Sequence, residues 1–426
     1  MRFHVLRLNA RAGYADAMQV DDGAAPLRPR ERPWQRAARA AGLVEPDGSA
    51  RPTIFAEMSA LAAAHGAVNL GQGFPDDGTP GAVLDAAIAA ISAGDNQYPP
   101  GRGTAELRQA IAEHQQRFYG VSLDPDTEVL VTAGATEALA ASILALAGPG
   151  DDVVTLEPSY DAYAAVTGLA GARHVTIPLT EPGFQPSPSG IAAAISDRTR
   201  VIVLNSPHNP TGSMLDAEHV ERIVALAARH DAVIVSDEVY EHLVYDGRRH
   251  VPVASHPGAA DRTLTISSAA KTFAVTGWKI GWVTGPAALI EAVLGVKQWL
   301  TYVNGAPFQG AVATGLRMPD ETFAALRATL QGRRDLLAAG LIDAGFTISP
   351  TAGSYFIVAE PPPHLGLGDA ASSARALAAD PGVVAIPLSA FGRAGGPVSP
   401  TALRFAFCKP EASIVEAVRR LRAFSS

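Results

Sequence analysis

Lys271 follows a short apolar run, Thr263 to Ile266, that is rich in β-branched residues and closed by Ser267 and Ser268, with only Ser268, Ala269 and Ala270 directly before it. Such a run reads as a buried strand, so the lysine stands at a strand mouth where nothing bulky keeps a flat ligand away. Eight positions on, Lys279 lies between Trp278 and Trp282. Burial depresses a lysine pKa, the neutral amine is the nucleophile that forms Schiff bases, and a second cation nearby adds to the effect.

Complementary groups follow other apolar runs. After EVLVT (128–132) come Gly134, Ala135 and Thr136 at the start of a helical stretch; after VIVLN (201–205) comes SPHNPTG with Asn209; after AVIVS (232–236) come Asp237 and Tyr240. Singly, Gly134 could make a turn, Asn209 before Pro210 could be turn chemistry, and Asp237 could cap a helix. Together they suit one ligand. A helix N-terminus at 134–136 with Ser268 and Lys279 offers N–H groups, a hydroxyl and a cation to a phosphate. Asp237 would stabilise a protonated ring nitrogen, Asn209 and Tyr240 would donate to a phenolate oxygen, and Lys271 would hold an aldehyde. That set matches pyridoxal 5′-phosphate. In ALRFAF, Arg404 stands inside an apolar run, and a buried arginine wants an anion, its planar fork suiting a carboxylate in two-point contact.

The elements that must position these residues are legible as a pattern. β-rich runs at 128–132, 152–156, 173–177, 200–205, 232–236 and 263–267 alternate with helical stretches such as 135–147 and 216–230. This is the signature of an α/β fold with a mainly parallel sheet covered by helices on both faces, and in such sheets ligands bind beyond the carboxyl ends of the strands. Helices are also predicted over 51–66, closed by Gly66, over 104–120 with Leu107, Ile111 and Phe118 as its apolar stripe, over 286–303 and over 321–345. SYFIVAE, VVAIP and ALRFAF read as strands of a second, smaller α+β lobe, and 361–380 as a loop. The expected division is a loosely ordered or disordered N-terminal arm over 1–50, a small domain from 51–85 and 320–426, and a large cofactor-binding domain over 86–319. The arm holds eight arginines among six acids, with one short helix expected after Pro33.

Composition bounds the function. At 426 residues the chain exceeds one hydrophobic core. A net charge of −8 argues against a nucleic-acid partner, and no run of 18 apolar residues appears. One cysteine, Cys408, precludes an internal disulfide and a cysteine-based zinc cluster, which fits a cytoplasmic location.

From about Pro52 onward the sequence resembles the fold-type I, class I aminotransferases that use pyridoxal phosphate. NLGQGFP, NQYPPGRG, VTAGATEA, EPSYDAY, NSPHNPTG, SDEVYEHL, SSAAKTF, TGWKIGW and LRFAFCK carry the resemblance, in the family's order. It is similar above all to the branch with kynurenine, glutamine and N-succinyldiaminopimelate aminotransferases. The resemblance implies the family's large seven-stranded-type sheet, with Lys271 as the Schiff-base lysine, Asp237 on the pyridine nitrogen, Asn209 and Tyr240 on O3′, and Tyr160 stacked on the ring. It gives Ala135, Thr136, Ser268 and Lys279 to the phosphate, and Arg404 with the Gly73 backbone to the substrate carboxylate. Tyr98 and Tyr302 would reach the site of a neighbouring subunit, which implies a homodimer with shared sites acting on an amino acid and a 2-oxo acid. Arg102 and Arg393 are the cations nearest in sequence to the substrate's far end. Ala270 stands where many relatives have glycine.

A β-lyase acting on cysteine conjugates is the rival within this chemistry. A ligand-sensing regulator would need a DNA-reading domain that the arm is too short to supply, and AAKT lacks the upstream glycines of a P-loop.

Overall fold

Along 201–204 both residue parities are apolar, and each finds its own cover. Val201 and Val203 pack with side chains of the helices Gly134–Leu146, Asp161–Ala170 and Ala287–Lys297, whereas Ile202 and Leu204 pack with those of Ala217–Arg229. Successive strand residues point to opposite faces, so a strand apolar on both is one buried between two helical layers.

The computed structural model describes residues 31–45, 48–76, 78–393 and 395–425, and Pro33–Ser426 form one compact unit. Its main sheet has eight strands in the order Val129–Ala133, Ile280–Thr284, Thr263–Ser268, Val233–Asp237, Thr199–Asn205, Asp152–Glu157, Arg173–Thr180 and Gln185–Pro186. The five from Thr263–Ser268 to Arg173–Thr180 are mutually parallel, while Ile280–Thr284 runs antiparallel to both neighbours and Gln185–Pro186 is a two-residue hairpin strand added to a seven-stranded body. Register decides which residues meet at the strand ends. Asn205 lies opposite Asp237, and Gly281 lies between Ser268 and Thr132.

A second sheet of four antiparallel strands, in the order Thr347–Ile348, Phe356–Glu360, Leu403–Ala406 and Ile386–Pro387, places Arg404 between Val358 and Ile386. The expected boundary at 85/86 falls inside the helix Gly81–Ala93, and 319/320 falls at the start of the helix Asp320–Asp343.

Local structure goes beyond these expectations at four places. The strand Ile280–Thr284, hidden behind the Trp and Gly residues of TGWKIGW, is buried at every position. The stretch 361–380 contains the helix Ala370–Ala379, started by Asp369, whose side chain accepts from the Ser372 amide at 2.8 Å. The helix predicted over 286–303 ends at Lys297, and Tyr302 adopts φ +64°, a left-handed conformation that no continuing helix allows. In the arm the short helix expected after Pro33 is present as Pro33–Ala40, with proline in its first turn, and it lies against Asp161–Ala170. A Cβ on Gly168 would come within 2.8 Å of the Arg36 carbonyl oxygen, so only glycine permits that approach. The expectation of disorder for residues 1–30 lies outside the described residues.

Candidate active site

Beyond the carboxyl ends of the strands opens a cavity of about 300 Å³. It brings together Lys271, Asp237, Tyr240, Asn209, Tyr160, Ala135, Thr136, Gly73 and Arg404. Lys271 sits on a four-residue helix, Ala269–Thr272, directly after its strand. Burial lowers its pKa below the ordinary value, Asp237 opposes that shift, and the Lys279 and Arg404 charges add to it.

Asp237 ends its strand and is buried, which raises its carboxyl. Three bonds hold it in place. Tyr163 donates its hydroxyl to Oδ2 at 2.7 Å, the Val239 amide reaches Oδ1 at 3.4 Å, and Asn205 Nδ2 donates to the Asp237 backbone carbonyl at 2.8 Å. Asn205 Oδ1 in turn accepts from the Asn209 amide at 2.7 Å. Burial pushes the Tyr160 phenol up to about 12 and the Tyr240 phenol higher still, so both remain donors at neutral pH.

At the other end of the cavity the helix Gly134–Leu146 presents its first N–H groups. Lys279, itself in a left-handed conformation at φ +54°, directs Nζ to within 3.5 Å of Thr136 Oγ1. A Cβ on Gly134 would lie 3.2 Å from that Nζ. Neither Lys279 nor Ser268 lines the cavity itself; Ser268 is buried and its Oγ has no protein partner. Amide donors, two hydroxyls and a cation at one helix N-terminus fit a phosphate, and the unpartnered Ser268 hydroxyl is a donor in want of an acceptor. The donor set therefore fits pyridoxal phosphate.

Arg404 is 2% exposed. Nη1 donates to Asn209 Oδ1 at 3.0 Å and Nη2 to the Gly71 carbonyl at 2.8 Å, while Nε has no partner. Its guanidinium carbon lies 4.0 Å from the Phe356 ring centroid and 4.6 Å from that of Phe391. Burial draws its pKa down to about 10, which leaves it a cation at neutral pH. A charged fork bonded only to neutral oxygens and walled by rings can accept a carboxylate.

The remaining expected residues lie elsewhere. Tyr98 and Tyr302 do not line the cavity; their rings meet edge to face, 5.8 Å apart, at 82% and 54% exposure. Arg102 pairs with Glu291, and Arg393 with Glu157 at 2.9 Å, so neither is a free cation for a substrate. Sequence reasoning does not single out Tyr163, Asn205 or Tyr355. Tyr355 donates to the Gly73 carbonyl at 2.6 Å and its ring lies 5.8 Å from Lys271 Nζ. The second tyrosine of EPSYDAY, three positions after Tyr160, is the signal that could have found Tyr163.

Residues 66–421 match the family model of aminotransferase class I and II. The chain is 52% identical, over 87% of its length and 95% of the relative's, to a probable N-succinyldiaminopimelate aminotransferase of Mycobacterium tuberculosis. It is 38% identical, over 87% and 95%, to the methionine aminotransferase of Escherichia coli. The solved structure of N-succinyldiaminopimelate aminotransferase from M. tuberculosis superposes with a TM-score of 0.84 at 51% identity, covering 88% of this chain and 97% of that one.

Proposed function

We propose, from the premise that this chain belongs to the class I and II aminotransferases and so is a pyridoxal-phosphate-dependent transaminase, that it exchanges an amino group between N-succinyl-LL-2,6-diaminopimelate and 2-oxoglutarate, a step of lysine biosynthesis. The observation that carries the site assignment is the meeting of Lys271, Asp237 and Arg404 in one cavity. The bound cofactor supplies an electron sink. Around it Asp237 would hold the ring nitrogen, Asn209 and Tyr240 would hold O3′, Tyr160 would cover the ring, and the 134–136 turn with Ser268 and Lys279 would hold the phosphate. Arg404 and the Gly73 backbone orient the substrate carboxylate. Lys271 Nζ would carry the proton from the substrate Cα to the cofactor's C4′, a general acid–base step typically contributing about 10² to 10⁴ in rate.

The substrate choice rests on the M. tuberculosis relatives. A second reading, a neutral substrate such as methionine, is favoured by the commitment of Arg102 and Arg393 to carboxylates, since an unpaired buried succinyl carboxylate would be heavily penalised. Comparing kcat/KM for the succinylated substrate and for methionine, in wild type and in Arg102→Ala and Arg393→Ala, separates the two. Preference for methionine with both variants indifferent removes the succinyl reading.

A homodimer with Tyr98 and Tyr302 completing the partner's site is part of the same proposal. Tyr98, Trp299, Leu300 and Tyr302 are exposed, and so is the stripe Leu84, Ile88 and Ile91 along one face of the helix Gly81–Ala93; clustered exposed apolar residues mark interfaces. The two-lobe division and a cytoplasmic location are proposed with it, the first supported by the separation of the eight-stranded sheet from the four-stranded one and the second by the buried free thiol of Cys408.

A further inference from the structure

The segment 237–242 has two sides. Asp237 and Tyr240 line the cavity, while Glu238, Glu241 and His242 are not among its lining residues and are buried in a polar network of their own. Glu241 Oε1 accepts from Ser267 Oγ at 2.5 Å and Oε2 from Gln115 Nε2 at 3.3 Å. Glu238 Oε1 accepts from Ser236 Oγ at 2.7 Å and from the Val253 amide at 2.9 Å, and Oε2 meets His250 Nε2 at 2.6 Å. Beside them His242 Nε2 and His114 Nε2 are 2.7 Å apart.

His114, Glu241 and His242 are close enough to suggest a metal centre. The imidazole spacing argues otherwise: two nitrogens each about 2.0 Å from one tetrahedral zinc would sit about 3.3 Å apart, and 2.7 Å is a hydrogen bond. The network is a set of ties, and their endpoints are telling. Glu241 follows Tyr240 and Ser267 precedes Ser268, so one short bond ties the turn after the strand Val233–Asp237 to the end of the strand Thr263–Ser268, and the neighbours of its two ends, Tyr240 and Ser268, serve opposite ends of the ligand. Gln115 extends the tie to the helix Ala105–Tyr119.

We infer that Glu241, bonded to Ser267 and Gln115, is a positioning residue that fixes Tyr240 and Asp237 relative to Ser268 and Lys271, and thereby sets how tightly and in what orientation the cofactor is held. This rests on the proposal that the cavity holds pyridoxal phosphate. Glu238, tied to Ser236, Val253 and His250, anchors the same segment one residue after Asp237. Glutamine at this position keeps the side chain's shape and an acceptor oxygen for Ser267, and the Gln115 amide can turn its own oxygen towards the new N–H.

The test uses the holoenzyme of wild type, Glu241→Ala, Glu241→Gln and Ser267→Ala, measuring the cofactor dissociation constant, the visible circular dichroism of the bound cofactor, kcat and KM, with thermal stability as a control. Loss of a residue that orients a ligand-holding group typically costs about tenfold or more. Glu241→Ala and Ser267→Ala should each weaken cofactor binding about tenfold and change the visible dichroism, with kcat falling more than KM rises, and Glu241→Gln should recover most of both. Folded Glu241→Ala with unchanged cofactor affinity and dichroism, and only a lower Tm, overturns the inference; should that variant fail to fold, unchanged values in Ser267→Ala do the same. Wild type that binds no cofactor overturns the proposed function as well, whereas wild type and Glu241→Ala that load equally overturn this inference alone.

Discussion

Lys271 and Asp237 are both kept from water, and burial disfavours the charged form of each. For the lysine this has a measurable sign. Its folded pKa lies below the ordinary 10.5, so between the two values the unfolded chain binds more protons than the native one. The cost of burying the charged amine is fully present below the lowered value and relieved as pH rises towards 10.5. Cofactor-free protein should therefore gain stability with rising pH in that window, and Lys271→Met should flatten the rise; a Tm for Lys271→Met that climbs as steeply as wild type would count against it. The same amine is the proposed base, so Lys271→Ala should show no transamination without added amine. Asp237→Ala should lose on the order of a thousandfold in kcat, with a smaller loss in cofactor affinity because the phosphate end is untouched. Tyr163→Phe removes one hydrogen bond to a charged group, typically ~1.5–3 kcal/mol, and should lower kcat by about tenfold at saturating cofactor. Lys271, Asp237, Asn209, Tyr240 and Arg404 were legible because each stands at a strand end or inside an apolar run where its chemistry is out of place. Tyr163 and Asn205 were not, because they serve another protein group: a tyrosine on an amphipathic helix and an asparagine closing a strand both pass for ordinary structure.

Among the elements, the contact between the Gly134 turn and the strand Ile280–Thr284 is the tightest constraint on the phosphate end. A Cβ on Gly281 would lie 2.5 Å from the Gly134 carbonyl carbon, backbone that cannot swing aside. Gly134 has φ +72°, where a side chain costs about 1–2 kcal/mol. Gly281→Ala should therefore weaken cofactor affinity and lower Tm, more so than Gly134→Ala, whose nearest obstacle is the flexible Lys279 side chain; cofactor titration with thermal melts decides, and equal effects would mean that the turn yields. This strand is hard to read in sequence because its alternation is masked by glycine and tryptophan and both its faces are buried. The parallel strands are plain because helices separate them at regular intervals. The helix Ala370–Ala379 is nearly all small residues, so its buried face at Ala370, Ser373, Ala374, Leu377 and Ala378 lacks the bulky apolar stripe that marks other helices, and the Asp369 cap is its plainer sign.

For the whole molecule, the proposed sharing of sites predicts complementation. A chain with Lys271→Ala mixed with one carrying Tyr98→Phe forms hybrid dimers in which one site has both defects and the other has neither, so activity should rise above that of either parent. No recovery after verified subunit exchange would count against sharing. Ile88→Glu, which puts a charge in the middle of the exposed stripe of Gly81–Ala93, should shift the protein to a monomer in sedimentation. The proposed dimer cannot be read from one chain's pattern alone, since an interface stripe and a solvent-facing one differ only in what covers them. Arg404 carries a last consequence for work with this protein. Its guanidinium is bonded to two neutral oxygens and has an N–H left over, so the fold holds a cation that any well-shaped acid would relieve. Ligand binding raises stability by an amount that grows with the logarithm of concentration over Kd, whether or not the ligand can react. Melting curves against a library of inert carboxylic acids, none with an amino group to transfer, would then rank side-chain shapes by fit and chart the substrate pocket without a single turnover.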